Sequence, residues 1–301
     1  MKTVKAHTVK GDAKTEIAEA VRRLGSTFSL EQITATRELY VPRALRPEDA
    51  EARATRDIQY GEDPRQRLDI FAGELAGGSR PVVLFVHGGG FVQGDKGNAG
   101  DPFYNNVGAW AVRSGFVGVT MTYRLAPQHV WPSGAQDVSL ALQWLRAHVQ
   151  EHGGDPERIV LMGHSAGAAH VAGCLAGHGG ASAGAAGVIL VSGIFSLRVY
   201  KGAYDYQCYY GEDRSQDEKR STVAALAASK IPSVFVITEF DPPQFHENLS
   251  DVFVARVAST GQSPEILWQR DHNHVSVVMQ IGSDVDALGP ALAEFIRQRA
   301  G

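Results

Sequence analysis

The chain has 301 residues, of which 44% are hydrophobic and 21% charged, so it can bury a full core without a metal or a disulfide framework. Its 29 Lys and Arg and 33 Asp and Glu give a net charge of −4 with no basic stripe, which argues against a nucleic-acid partner. Two cysteines, Cys174 and Cys208, are too few for a disulfide framework and favour a reducing compartment.

Residues 1–24 contain lysines but lack the apolar run of a secretory signal. No window of the sequence approaches the roughly 18 consecutive apolar residues that cross a membrane. We therefore expect a cytoplasmic protein with no membrane partner.

The first 55 residues are predicted to form an N-terminal helical arm. Ile17, Ala20, Val21 and Leu24 recur at helical spacing, and Phe28, Leu30 and Ile33 extend this apolar stripe. A solvated tail has no reason to carry such a stripe, so we expect the arm to cover part of the domain formed by residues 56–301. The alternatives are an arm that docks far from any site or one that forms a homodimer contact.

From residue 56 onward, short β-rich runs alternate with longer helical patterns, which is typical of a parallel sheet with crossover helices. The predicted strands are 57–60, 68–71, 82–86, 117–122, 159–162, 188–191, 234–238 and 266–268. The predicted helices are 103–113, 134–151, 166–176, 218–228, 244–259 and 285–299. The runs 82–86 and 188–191 are apolar throughout, as expected of central strands covered on both faces. The Gly- and Ala-rich stretch 177–187 predicts a loop.

Residues 163–167 read Gly-His-Ser-Ala-Gly, a G-x-S-x-G sequence between a predicted strand and a predicted helix. In that context the serine sits on a sharp turn that lifts its hydroxyl out of the sheet, while the helix N-terminus favours developing negative charge. The pattern predicts Ser165 as a nucleophile. The alternative is an ordinary strand-to-helix turn built of small residues.

His87 and the three glycines that follow it come directly after the apolar strand 82–86. Consecutive glycines after a buried strand indicate that the backbone must approach another group closely. We predict that the amides of Gly89, Gly90 and Ala166 form an oxyanion hole, and that His87 anchors the loop.

An activated serine needs a base, and the base needs an orienting acid. Asp241 follows the strand 234–238, and His274 follows the strand 266–268, so nucleophile, acid and base occur in the order of the hydrolase triad. Glu239 is the alternative acid and His272 the alternative base. His272 and His274 also form an H-x-H pair that can bind zinc, but no further ligand cluster accompanies them, and we predict no metal site.

Four motifs in order resemble the α/β-hydrolase superfamily: His87-Gly88-Gly89-Gly90, Tyr123-Arg124-Leu125-Ala126-Pro127, Gly163-His164-Ser165-Ala166-Gly167 and Asp241-Pro242. More narrowly they are similar to the hormone-sensitive-lipase-like carboxylesterases and their feruloyl-esterase-like and arylformamidase-like relatives. The resemblance implies an α/β-hydrolase fold with a mostly parallel eight-stranded sheet, helices on both faces and an N-terminal helical cap. His164 before the serine and Ala168 after the motif depart from the hormone-sensitive-lipase pattern and favour the feruloyl-esterase-like and formamidase-like branch.

The predicted function is hydrolysis of small to medium carboxylic esters through an acyl-serine intermediate, with no cofactor. An amidase of the arylformamidase type is the nearest alternative, and a non-catalytic ligand-binding protein on the same scaffold is another. An aromatic-rich segment follows the sixth strand and is predicted to line the substrate pocket, with a hairpin-like cover as the alternative. The candidate pocket residues are Phe91, His164, Phe195, Tyr200, Tyr204, Tyr206, Tyr209 and Tyr210.

Overall fold

A computed structural model describes residues 9–74, 79–180, 184–198 and 203–300. Its eight strands form one sheet and correspond one to one to the predicted strands. The strands are β1 (Arg53–Gln59), β2 (Arg67–Ala72), β3 (Arg80–Val86), β4 (Val117–Met121), β5 (Gly154–His164), β6 (Gly187–Val191), β7 (Ser233–Phe240) and β8 (Glu265–Asn273). Their spatial order is β1-β2-β4-β3-β5-β6-β7-β8.

The sheet is parallel from β4 to β8, and β2 is antiparallel to both of its neighbours. The strand β3 shows why its sequence is apolar throughout. Val82, Leu84 and Val86 face one core cluster, and Val83 and Phe85 face a second cluster on the other side. Both sides of this strand are therefore removed from water, as the sequence predicted.

Helices cover both faces of the sheet. They are α1 (Val9–Leu24), α2 (Leu30–Tyr40), α3 (Asn105–Arg113), α4 (Ser133–His148), α5 (Ala166–Leu175), α6 (Tyr204–Tyr210), α7 (Asp217–Arg220), α8 (Val223–Ala228), α9 (Pro243–Thr260), α10 (Ser276–Met279) and α11 (Gly289–Ala300). Residues of α4 and α5 pack on one face, and residues of α3 and α11 pack on the other. The predicted fold class is confirmed.

The bounds of the predicted helices shift by one to four residues, and two helices show the largest differences. The helix predicted over 218–228 is divided into α7 and α8, because the Phe195 carbonyl accepts hydrogen bonds from the Thr222 amide at 2.9 Å and the Ser221 hydroxyl at 3.1 Å. The helix predicted from residue 285 begins at Gly289, where the Asp286 carboxylate accepts the Gly289 amide at 2.7 Å. Both differences come from hydrogen bonds that hydrophobic periodicity does not reveal. Part of the predicted loop 177–187 lies outside the described residues.

The arm helices α1 and α2 pack on the end of β8 and on α10. Ile17 and Val21 of the predicted stripe are buried in a cluster that also contains Tyr40, Val275 and Met279. The predicted extension of the stripe is wrong at Leu30, whose side chain is 79% exposed.

Among the residues that the structure describes, no helix is both long enough and apolar enough to span a membrane.

Candidate active site

The predicted nucleophile lies on a strained turn between β5 and α5. Ser165 has φ 55° and ψ −120°, a backbone conformation that non-glycine residues rarely adopt. The turn is closely packed, since a Cβ on Gly163 would lie 2.5 Å from the Gly167 carbonyl oxygen, and a Cβ on Gly167 would overlap the Val86 carbonyl. Glycine at both positions is therefore a steric requirement of the turn.

Strand register brings the predicted acid and the predicted base together. Phe240 of β7 is paired with Asn273 of β8, so the residues that follow them, Asp241 and His274, leave the sheet side by side. His274 Nδ1 lies 2.7 Å from Asp241 Oδ1, and His274 Nε2 lies 2.9 Å from Ser165 Oγ. The three predicted side chains thus form one continuous hydrogen-bonded chain, with His274 only 1% exposed.

Asp241 is held by three donors, of which sequence reasoning identified only His274. Its Oδ2 accepts the Ser192 hydroxyl at 2.7 Å and the Thr238 amide at 2.8 Å. Burial alone would raise the pKa of Asp241, but the hydrogen bonds from His274, Ser192 and Thr238 together hold that pKa below its usual value. Ser192 directly follows β6, and its position at a strand end next to Gly193 was the available signal.

Aromatic rings surround the base. The Phe28 ring meets His274 edge-on at a centroid distance of 4.6 Å, and Phe245 lies at 4.2 Å. His164 lies at 4.9 Å, and its Nε2 is 2.7 Å from the His274 carbonyl oxygen. Burial, reinforced by the neighbouring His274, lowers the pKa of His164 to about 3, so this ring is neutral and donates to that carbonyl.

The alternative acid and base lie elsewhere. Glu239 is exposed, and its carboxylate accepts the Asp271 amide at 3.0 Å. His272 Nδ1 lies 3.1 Å from the Ser276 hydroxyl, and burial lowers the pKa of His272 to about 4. Neither side chain contacts Ser165. Within the described ranges, no three His, Cys, Asp or Glu side chains are grouped so that they could hold a metal ion.

The glycine loop after β3 lies against the serine turn. A Cβ on Gly88 would be 3.1 Å from Ser165 Cβ, so the two backbones are in close approach. Gly89 has φ 134°, and a side chain there would overlap the Gln93 carbonyl. In the described parts of the chain, no acceptor is found for the amides of Gly89, Gly90 and Ala166, which sequence reasoning assigned to an oxyanion hole.

Contacts from neighbouring elements hold this loop in place. The Tyr123 hydroxyl donates to the His87 carbonyl at 2.9 Å, and the two rings stack at 4.4 Å. At the far end of the loop, the buried Lys96 ammonium pairs with Asp57 at 2.7 Å and with the fully buried Asp69 at 2.9 Å. Sequence reasoning missed the roles of Lys96 and Asp69, since each has an ordinary local sequence.

Most of the predicted pocket residues are packed into the interior, which corrects the expected pocket wall. Phe91 stacks on Tyr209 at 4.6 Å with the rings nearly parallel, and Phe195 packs edge-on against Phe235 at 5.7 Å. The side chains of Phe91, His164, Phe195, Tyr206, Tyr209 and Tyr210 are at most 6% exposed. Tyr204 is 73% exposed, and Tyr200 lies outside the described residues. The buried aromatics at positions 91, 206, 209 and 210 pack in one cluster with Ala166, and almost none of their surface is accessible to a ligand.

The fold is that of the α/β hydrolases: a mostly parallel eight-stranded sheet with a serine on the turn after β5, and with an aspartate and a histidine after β7 and β8. Solved structures share the fold. Esterase B from Lactobacillus Rhamnosis aligns over 96% of this chain and 96% of its own with a TM-score of 0.74 and 17% identity. A hyperthermophilic esterase from the archaeon Pyrobaculum calidifontis aligns over 99% of each chain with a TM-score of 0.69 and 19% identity.

Sequence comparisons agree with the fold. Residues 68–189 match the BD-FAE family model. Esterase LipC of Mycobacterium tuberculosis is 37% identical over 113 residues, 37% of this chain and 27% of LipC. A probable isoprenylcysteine alpha-carbonyl methylesterase of Arabidopsis thaliana is 37% identical over 119 residues, 40% of this chain and 24% of that protein. The matched segments span about a quarter of these relatives. The predicted resemblance to α/β hydrolases of the hormone-sensitive-lipase-like and BD-FAE type is confirmed.

Proposed function

We propose that this protein is a serine carboxylesterase that acts on small carboxylic esters. The observation that carries the proposal is the unbroken hydrogen-bonded chain from Asp241 through His274 to Ser165, buried at the carboxyl edge of the sheet. The two relatives and the two fold neighbours described above are esterases, which supports the same class of reaction.

In the proposed mechanism, His274 Nε2 accepts the Ser165 proton as Oγ attacks the ester carbonyl carbon. The tetrahedral intermediate collapses as the C–O bond to the alcohol breaks, and His274 returns the proton to the departing alkoxide. Water then attacks the acyl-serine with His274 again as the base, which releases the carboxylic acid and restores Ser165.

The ionised Asp241 has a defined role in this cycle. Its Oδ1 accepts the Nδ1 proton of His274, which leaves Nε2 free to receive the serine proton. The low pKa of Asp241 keeps the carboxylate charged, so it stabilises the imidazolium that forms in each half-reaction. The amides of Gly89, Gly90 and Ala166 donate to the developing oxyanion.

The domain roles are part of the proposal. Residues 56–301 carry the chemistry, and residues 1–55 act as a cap whose Phe28 ring rests on the base. A cap in contact with His274 shapes the mouth of the site and helps to exclude water.

Release of p-nitrophenol from a short p-nitrophenyl ester tests the activity. Wild-type protein should release colour, and Ser165→Ala should lose activity by a factor on the order of 10⁶ while its circular dichroism spectrum is unchanged. A matched anilide and a formamide measure the competing amidase activity. Retention of more than a few percent of ester turnover by Ser165→Ala would remove Ser165 from the proposed role.

A further inference from the structure

An acidic side chain lies directly beside the glycine loop. Asp205 is in the first turn of α6, and its Oδ2 is 2.5 Å from the position that a Cβ on Gly90 would occupy. Because the backbone nitrogen and Cβ of one residue are about 2.5 Å apart, this oxygen is within about 5 Å of the Gly90 amide nitrogen. The carboxylate therefore neighbours an amide assigned to the oxyanion hole.

No side chain neutralises this carboxylate among the residues that the structure describes. Asp205 Oδ1 accepts its neighbouring backbone amide, that of Tyr206, at 2.9 Å, while Oδ2 has no donor within the described ranges. Asp217 of the same segment, in contrast, pairs with Arg214 at 2.8 Å. Asp205 differs from Asp217 in its open carboxylate oxygen, and it is only partly buried.

A negative charge at this distance opposes the chemistry unless it is compensated. The oxyanion that forms near Gly90 is repelled by Asp205, and the repulsion is strong in a partly desolvated site. A cation on the substrate that lies between the two negative groups reverses the effect, because it attracts both. The attraction of the cation would then be stronger in the transition state than in the bound substrate, because the oxyanion adds a second negative charge beside it.

We infer that Asp205 is a specificity-determining residue, and that the site takes esters with a cationic group a few atoms from the carbonyl carbon. This inference rests on the proposed esterase activity. It also predicts discrimination against esters with an anionic group at the same position, since these bring a like charge to Asp205.

Pairs of esters that have the same shape but different charge test the inference. On the alcohol side the pair is butyrylcholine and its neutral isostere 3,3-dimethylbutyl butyrate. On the acyl side the pair is the p-nitrophenyl esters of 4-(trimethylammonio)butanoate and 5,5-dimethylhexanoate. Wild-type protein should favour the cationic member of at least one pair by about tenfold in kcat/KM at low salt, and high salt should reduce this preference.

Asp205→Asn should bring the preferred ratio close to one while it retains turnover of the neutral ester. Glu212→Gln is the matched control, because it removes an exposed negative charge from the same segment without changing the neighbour of Gly90, and it should keep the wild-type ratio. Stoichiometric labelling of each variant with a serine-directed phosphonate shows that the site is folded.

The possible failures differ from one another. A wild-type ratio of one in both pairs, or an unchanged ratio in phosphonate-reactive Asp205→Asn, overturns the role of Asp205 and leaves the esterase proposal intact. Hydrolysis of no ester by the wild type removes the esterase proposal and the role of Asp205 with it.

Discussion

The carboxyl edge of the sheet and the N-terminal arm both contact His274, but they do so in different ways. At the sheet edge, paired strands fix the position of each reacting group, and hydrogen bonds of 2.7 and 2.9 Å join them. The described part of the arm contributes the ring of Phe28, at 4.6 Å. The sheet therefore fixes the side chains of the proposed triad relative to one another, whereas a separately packed element supplies an aromatic neighbour of His274.

The buried side-chain amide of Gln32 holds the turn that presents Phe28. Gln32 Oε1 accepts the Phe28 amide at 2.9 Å, and Gln32 Nε2 donates to the Leu24 carbonyl at 3.1 Å. Phe28 itself has φ 50°, so the turn is held in a conformation that a phenylalanine rarely adopts. The arm therefore places this ring against His274, and no side chain described in residues 13–55 forms a hydrogen bond with His274.

The largest expected effect is at the base, on the sheet side of the comparison. His274→Ala should lower kcat by a factor on the order of 10⁶, because no other described side chain bonds Ser165 Oγ. Steady-state hydrolysis of a p-nitrophenyl ester measures the loss. His272→Ala is the control and should keep measurable turnover, since His272 contacts the Ser276 hydroxyl and not Ser165. Equal losses in both variants would contradict the assignment of the base.

The orienting acid gives the next largest effect. In Asp241→Asn, the two donors Ser192 and Thr238 retain the amide oxygen at the Oδ2 position, so the NH₂ group faces His274 Nδ1. The imidazole must then accept at Nδ1 and hold its proton on Nε2, where it cannot take the serine proton. We expect kcat to fall by a factor on the order of 10⁴ with little change in KM.

Glu239→Gln is the matched control for this acid. Its carboxylate is exposed and bonds only the Asp271 amide among the described residues, which a glutamine can also bond. Activity should remain within about twofold of wild type, in line with the small effects of exposed substitutions. The reverse ranking of the two variants would transfer the orienting role to Glu239.

Sequence reasoning predicted the parts of the site that are local in the chain. The serine turn, the glycine loop and the strand-end positions of Asp241 and His274 each have a short pattern that backbone geometry requires. Ser192 also follows a strand, but no short pattern marks it as a partner of Asp241, and no pattern marks Phe28, because each meets the triad only after distant strands and helices have packed. The prediction of a tyrosine-lined pocket failed for a related reason: an aromatic-rich segment packs equally well into a core or along a cleft.

Buried histidines should make the sheet side sensitive to acid. Burial lowers the pKa of His87 to about 4 and of His170 to about 3, and His164 and His272 are lowered to about 3 and about 4. Below the unfolded-state value near 6.5, the unfolded chain binds protons that the folded chain does not, so stability falls as pH decreases from about 6.5 towards 4. Once the pH is well below 6.5, each such histidine lowers the free energy of unfolding by about 1.4 kcal/mol for every pH unit of decrease.

Denaturant unfolding between pH 4 and 7 measures this slope. His170→Phe removes one buried histidine from the ring cluster of Tyr123 and Tyr209. The slope of the free energy of unfolding against pH should therefore fall by the contribution of one proton, about 1.4 kcal/mol per pH unit. His148→Gln is the control, because the His148 side chain is 44% exposed, and its slope should match wild type. A free energy of unfolding that does not change with pH in this range would show that these rings are not buried as neutral groups.

The smallest expected effect is on the arm side. An aromatic pair contributes about 0.5–1.5 kcal/mol beyond its burial, so loss of the Phe28 ring from His274 corresponds to at most about a tenfold change in rate. Phe28→Ala should lower kcat/KM by up to about that factor and change the selectivity between short and bulky esters. Ser165 should remain reactive toward a phosphonate, because the triad hydrogen bonds do not include the arm.

Two control variants accompany Phe28→Ala. Phe28→Tyr keeps an aromatic ring and should retain most of the wild-type activity. Leu30→Ala changes a side chain that is 79% exposed and should not lower kcat/KM. If Phe28→Ala matches wild type in rate, selectivity and pH profile, the arm is a packed appendage whose contact with His274 has no role in the reaction.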